Sequence, residues 1–179
     1  MFILLTIWIA SIAKDLPDPE KLSERSLGQT TKIYDRTGET LLFEIFNEKK
    51  RTLVALEDIP EYAVNATLAV EDKNFYNHKG VAYKSIARAA ISNLLGKKSG
   101  QGGASTLTQQ LIKNAIVGDD HSYIRKIKEA ILATQLEKKY TKKEILQLYF
   151  NEIPYGSTNY GIEAASQSYF AKKVEDISI

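Results

Sequence analysis

The chain of 179 residues contains no cysteine. That excludes a disulfide framework, thiolate catalysis and any zinc site built on thiolates. It also has little excess charge of either sign. Twenty-four Lys and Arg stand against 22 Asp and Glu, a net of +2 with both histidines neutral. So small an excess supplies no bulk electrostatic reason to bind nucleic acid. Long apolar runs are scarce as well. Phe2 to Ala13 reads FILLTIWIASIA, whereas a bilayer span needs about 20 residues. The run has the length of a signal-peptide core. No basic residue precedes it, however, and Ala10 to Ala13 is only a loose cleavage sequence. A buried strand or helix is the alternative. The polar, proline-marked stretch DLPDPEKLSERS that follows reads as a linker and favours the end of a membrane helix. The expected organisation is therefore a truncated anchor over 1–13, a linker over 14–30 and a folded domain over 31–179, incomplete at its C-terminus.

What is present is ordinary globular composition: 44% hydrophobic and 26% charged residues. The length suits one domain with a real core. Ile33 and Tyr34 lead into the turn signal Asp35-Arg36-Thr37-Gly38-Glu39, and then into Leu41, Leu42, Phe43, Ile45 and Phe46, which predicts a short hairpin. From Pro60 onward the pattern is helical. It predicts helices near 61–74, 82–95, 105–117, 122–139, 142–151 and 159–172. The breaks are a glycine-rich loop over 97–103, Gly118-Asp119-Asp120, and Ile153 to Ser157. The result is mainly α with a small β preface.

Three partial matches carry no chemistry. Ser11-Ile12-Ala13-Lys14 and Arg36-Thr37-Gly38 echo motifs of penicillin-recognising enzymes, but too few residues separate them to hold that fold. Gly96 to Ser99 lacks the earlier glycine of a phosphate loop. His78 and His121 have no third ligand nearby in sequence. No metal-ligand cluster is visible and no cofactor is required, although a divalent ion bridging a diphosphate remains open.

Three segments do carry chemistry. Glu71 follows Ala66, Leu68, Ala69 and Val70, where an apolar helix is ending. Partial desolvation there would raise a carboxyl toward the range of a general base; the plain alternative is a solvated helix end. Gly102-Gly103 runs into Ser105 and Thr106, and Thr106 with Gln109 fits a capping box. A helix start preceded by glycines presents backbone N–H groups suited to phosphate. Thr106, Gln109, Gln110 and Lys113 share one sector of that helix; a well-capped helix with nothing bound is the alternative. In the third segment Ile124, Ile127 and Ile131 form the expected core stripe. Glu129 shares a different sector with Arg125, Leu132, Ala133 and Leu136, so it is expected to be buried with Arg125 as partner. Two carboxylates with the basic trio Lys113, Arg125 and Lys126 suit displacement of a diphosphate by a hydroxyl. Two carboxylates on a helical scaffold also suit glycoside hydrolysis.

These segments resemble the peptidoglycan glycosyltransferases of family 51. The pattern E-D-x-x-F-x-x-H-x-G is met by Glu71, Asp72, Phe75, His78 and Gly80. G-x-S-T-[IL]-T-Q-Q-x-x-K-N is met from Gly103 to Asn114. R-K-x-x-E is met by Arg125, Lys126 and Glu129. Two further motifs look like Lys143 to Asn151 and Tyr155 to Phe170. Departures are Val81-Ala82-Tyr83 after the first motif, Thr158-Asn159 before Tyr160-Gly161, Phe150 for a usual leucine and Ala171 for a usual glycine.

The resemblance implies a lysozyme-like, bilobal fold, a head plus a membrane-facing jaw between motifs one and two. In that jaw Ile86, Ala89, Ala90, Ile91, Leu94 and Leu95 would meet lipid; plain core packing is the alternative. It implies Glu71 as the base that deprotonates the acceptor 4-hydroxyl of lipid II, and Glu129 as a second essential glutamate near the donor diphosphate. Ser105, Gln109, Gln110, Lys113, Arg125 and Lys126 would line the diphosphate site. Asp72, Phe75, His78, Thr106, Asn114 and Asn151 complete the set expected to bind substrate. Implied partners are lipid II, the growing glycan, the outer side of the cytoplasmic membrane and a cell-wall synthesis complex. The rival readings are a muramidase-like hydrolase and a non-catalytic anchored module.

Overall fold

The computed structural model describes residues 16–17, 28–84, 86–88, 105–118 and 122–178. The apolar run over 2–13, the glycine-rich loop, His121 and the jaw residues beyond 88 lie outside the described residues.

The predicted hairpin is present. Strand β1 (Thr31–Tyr34) pairs antiparallel with β2 (Leu41–Ile45), with Ile33 opposite Phe43 and Lys32 opposite Glu44. Asp35 builds the turn: its Oδ1 accepts from the Thr37 hydroxyl and from the N–H groups of Thr37, Glu39 and Thr40. Such a side-chain-to-backbone turn is what Asp does best. The faces are reversed from the usual arrangement of a half-buried sheet. Lys32 donates to Gln167 at 2.9 Å and Glu44 pairs with Lys50 at 2.5 Å, while Leu42, Phe43 and Ile45 are exposed.

Two more strands are only two residues long. β3 (Lys50–Arg51) runs parallel to β4 (Asn159–Tyr160). The helix expected from 159 therefore starts later. Its first residues complete a strand pair, and Gly161 (φ +81°) makes the turn into the helix.

The helices are α1 (Glu61–Glu71), α2 (Leu107–Ile112), α3 (Tyr123–Lys139), α4 (Lys142–Glu152) and α5 (Ile162–Phe170). Residues 83–84 and 86–88 are also helical. Helix α1 ends at Glu71, short of the expected 74, because Asp72 leaves helical geometry and a 3₁₀ turn over Phe75–Asn77 follows. Helix α2 is short and continues as a π-helical turn over Lys113–Val117, stopped by Gly118 at φ +82°. A π segment of this kind often marks a functional site.

The core lies where α2, α3 and α4 meet. Leu107, Leu111, Leu132, Leu136, Ile145 and Phe150 are fully buried there, each contributing roughly 1.5–3 kcal/mol by burial. On α3 the buried stripe is Arg125, Glu129, Leu132, Ala133 and Leu136. The expected isoleucine stripe is not the main one: Ile124 is exposed, and Ile127 and Ile131 are only partly covered. Helix α3 turns its charged pair toward α2, which rotates the isoleucines outward.

Candidate active site

Helix α2 is the element on which the site is assembled. Thr106 caps it. Its hydroxyl accepts from Gln109 N at 3.2 Å and the Gln109 side chain accepts from Thr106 N at 3.1 Å, so the predicted capping box is formed. The Thr106 hydroxyl also donates to the Gly80 carbonyl at 2.6 Å. Gly80 has φ +89°, and a Cβ on it would sit 2.5 Å from the Ala133 carbonyl oxygen. Only glycine permits the 71–80 loop to close against α3 at this point.

Asp72 supplies the next tie. Its Oδ2 accepts from Leu107 N at 3.1 Å and lies 2.8 Å from His78 Nε2. Behind it, Glu137 accepts from the Thr108 hydroxyl at 2.6 Å and pairs with Lys142 at 2.6 Å, while the Lys142 ammonium lies 4.2 Å from the centre of the Phe75 ring. These bonds correct one expectation. The N–H groups of Thr106, Leu107 and Gln109 are satisfied by protein side chains, so they are not a cradle for phosphate. A helix end must satisfy its orphan donors; here Asp72, from the loop after Glu71, takes Leu107 N, and the Thr106–Gln109 capping box takes the other two.

Glu71 itself is half-buried. The helix flank before it is more open than expected: Val70 is 69% exposed and α1 buries no residue fully. Glu71 Oε2 accepts from Gln110 Nε2 at 2.8 Å. Among the described residues, Oε1 accepts no hydrogen bond. Gln110 Oε1 in turn accepts from the Tyr149 hydroxyl at 3.1 Å, and the Gln110 carbonyl accepts from Asn114 Nδ2 at 2.9 Å.

Just before the start of α2, at Ser105, lies a cation cluster. Glu129 has 0% exposure. Its Oε1 accepts from Arg125 Nη1 at 2.5 Å and its Oε2 from Lys126 Nζ at 2.7 Å. The Lys126 ammonium also donates to Ser105 Oγ at 3.0 Å, and the lysine side chain is 47% exposed. The glutamate thus holds two cations in place, one of them turned toward solvent. Glu71 and Glu129 are both tied to the same short stretch, one through Gln110 and the other through Lys126 and Ser105. Those anchor points lie within about two helical turns of each other.

The sequence of this domain matches the family model described as Transglycosylase over residues 38–179. The chain belongs to the transglycosylase family. Its helical fold is the lysozyme-like one of the transglycosylase domain. Among relatives, penicillin-binding protein 1A of Aquifex aeolicus is 42% identical over the whole chain and 24% of the relative. Penicillin-binding protein 1A of Clostridium perfringens is 42% identical over 97% of the chain and 26% of the relative. That of Pseudomonas aeruginosa is 43% identical over 94% of the chain and 20% of the relative. The chain spans about a quarter of the length of these relatives.

Within the transglycosylase domain the expected site residues divide. Glu71, Ser105, Gln110, Asn114, Arg125, Lys126 and Glu129 join the two clusters around α2, and Lys113 is partly exposed on the π turn that continues it. Phe75, Thr106, Gln109 and Asn151 turn inward. Phe75 is 1% exposed in the core, and Thr106 and Gln109 spend their side chains on the cap. Asn151 accepts from Val54 N and donates to the carbonyls of Val54 and Gln147, all at 2.9 Å. It staples the extended segment before α1 to α4. Asp72 and His78 are likewise buried, and they position the loop. These six turn into the protein and bond or pack there, with His78 Nδ1 buried without a hydrogen-bond partner among the described residues, 3.8 Å from Glu137 Oε1. Three residues absent from the expected set, Glu137, Lys142 and Tyr149, belong to the site's support. Their signal was a polar side chain at helix positions otherwise filled by core residues. Among the described residues, no group of three or more His, Asp or Glu is arranged to hold a metal ion.

Proposed function

We propose that this domain polymerises lipid II, with Glu71 as the general base. Glu71 Oε1 takes the proton of the acceptor sugar's 4-hydroxyl. The resulting oxygen attacks C1 of the donor's MurNAc, the C1–O bond to undecaprenyl diphosphate breaks, and the anomeric centre inverts to a β-1,4 link. The supporting observation is the pairing of Glu71, one oxygen held by Gln110 of α2 and the other open, with a cation cluster tied to Ser105 just before that helix. Lys126, its side chain 47% exposed and its ammonium anchored by Glu129 and Ser105, stabilises charge on the departing diphosphate. Arg125 backs it.

A glycan hydrolase needs a carboxylic acid to protonate its leaving oxygen. Both oxygens of Glu129 already accept from cationic nitrogens, which is the surrounding of a charge anchor and not of a proton donor. A lipid-linked donor places the work at the outer face of the cytoplasmic membrane. Val70, Tyr76, Tyr83 and Ile86 are exposed on the segment leading into the jaw, in keeping with an apolar surface near lipid.

Incubation of the chain with labelled lipid II tests the reading. The expected product is polymer, lost by at least about 100-fold in Glu71→Gln with lipid II binding kept. Polymerisation by Glu71→Gln at the wild-type rate would remove the base assignment. Shortening of preformed glycan in place of polymer would move the domain to the hydrolases.

A further inference from the structure

A primary amide is nearly symmetric in shape, and only its partners decide which end points where. At Gln110 those partners sit on opposite sides. Glu71 Oε2 is 2.8 Å from Nε2, and the Tyr149 oxygen is 3.1 Å from Oε1. A carboxylate can only accept, so Gln110 must turn its NH₂ to Glu71. Its carbonyl end is then left facing a neighbour that must donate. Tyr149 is 2% exposed, lies near the end of α4 and meets Phe150 edge-on at 5.7 Å between ring centres. Its hydroxyl therefore sits on a rigid element and not on a loop.

We propose that Tyr149 is a positioning residue for the base: its O–H fixes the Gln110 amide, and through it the orientation of Glu71 that leaves Oε1 facing the acceptor. This rests on the reading of Glu71 as base. Burial, with lesser contributions from Glu71, Tyr155 and Asp72, pushes the Tyr149 phenol well above its ordinary value. The group therefore remains a donor at every working pH. Without that donor the amide gains a second orientation, in which Oε1 opposes the Glu71 carboxylate and the glutamate swings away. Tyr149 makes no hydrogen bond to Glu71 itself, so its whole effect travels through Gln110.

The test is a double-mutant cycle on lipid II polymerisation. Tyr149→Phe keeps the ring and the packing. It is expected to lower kcat roughly 10- to 100-fold, as a misplaced catalytic group does, with KM for lipid II unchanged. In a Gln110→Ala background the same substitution is expected to cost nothing further. Gln110→Met, which leaves the tyrosine untouched, is expected to reproduce the loss. The proposal is overturned if Tyr149→Phe keeps wild-type kcat, if its loss persists in full without Gln110, or if Gln110→Met is fully active. Glu71→Gln run alongside separates the two readings. An active Glu71→Gln removes the base assignment. An inactive Glu71→Gln beside a fully active Tyr149→Phe removes only the role of the tyrosine.

Discussion

Asp72 and His78 meet at 2.8 Å with side chains only 6% and 8% exposed, in the loop that follows the half-buried Glu71. Asp72 follows Glu71 in sequence, yet its Oδ2 serves the backbone of α2 through Leu107 N. Adjacent carboxylates thus have separate tasks. One is kept available, and the other joins the loop that carries it to the helix that orients it.

Removing that joint has a measurable cost. Asp72→Ala leaves the Leu107 N–H and the His78 ring without their acceptor. It is expected to destabilise the domain by roughly 1–3 kcal/mol, the penalty for a buried unsatisfied donor. Asp72→Asn, whose amide oxygen can still accept, is expected to lose less. Urea unfolding of both variants checks the order, and equal stabilities would show that the bond is idle.

The Glu129 cluster separates stability from activity. Glu129→Gln removes the counter-charge from two cations, and unpairing a buried ion pair costs on the order of 3–5 kcal/mol. Lys126→Ala leaves Glu129 bound to Arg125 at 2.5 Å and removes a half-exposed side chain, so about 1 kcal/mol or less is expected. Both are expected to lower polymerisation by about 100-fold or more, the scale of a lost electrostatic stabiliser. Parallel rate and unfolding measurements test this. A stable Lys126→Ala with full activity would exclude the ammonium from the reaction.

Ala171 closes α5 in the left-handed region, at φ +54° and ψ +34°. A Cβ is disfavoured there, and glycine is the usual helix terminator. Ala171→Gly is therefore expected to stabilise the domain by about 1 kcal/mol. A higher melting temperature with unchanged activity is the expected result, since α5 carries none of the proposed site residues.

Helix α4 gives a pH signature. The Glu144 carboxyl lies below its ordinary value, first because Thr141 N–H donates to it and then because the Thr141 hydroxyl does. A lowered folded-state pKa stabilises fully above the unfolded value, and that contribution is lost as pH falls through the folded value. The stability gap between wild type and Glu144→Gln is thus expected at neutral pH and to close with acidification through the carboxylate range. Denaturation at several pH values reads it; a gap independent of pH would assign the effect to something other than the charge.

Local chemistry was legible from the residues. The Asp35 turn, the capping box of Thr106 with Gln109, and the pairing of Glu129 with Arg125 one turn away all involve partners within five positions in sequence. Their geometry follows from helix and turn dimensions alone. Other features were not legible. The strand at Asn159–Tyr160 exists only because Lys50–Arg51 lies beside it, so a window around 159 reads as the opening of the next helix. The burial stripe of α3 was likewise decided by what α2 presents to it.

From its residues alone the chain determined that it is mainly helical with a hairpin preface, which motifs it carries, and which glutamates stand out. Tertiary structure decided which polar side chains turn inward to hold the frame and which stay partly open. Asp72, Thr106, Gln109 and Asn151 look as reactive in one dimension as Glu71, Gln110 and Lys126. The difference is direction. A polar group turned inward must find a protein partner to offset its lost hydration, and those partners lie up to 97 positions away, as Val54 does from Asn151.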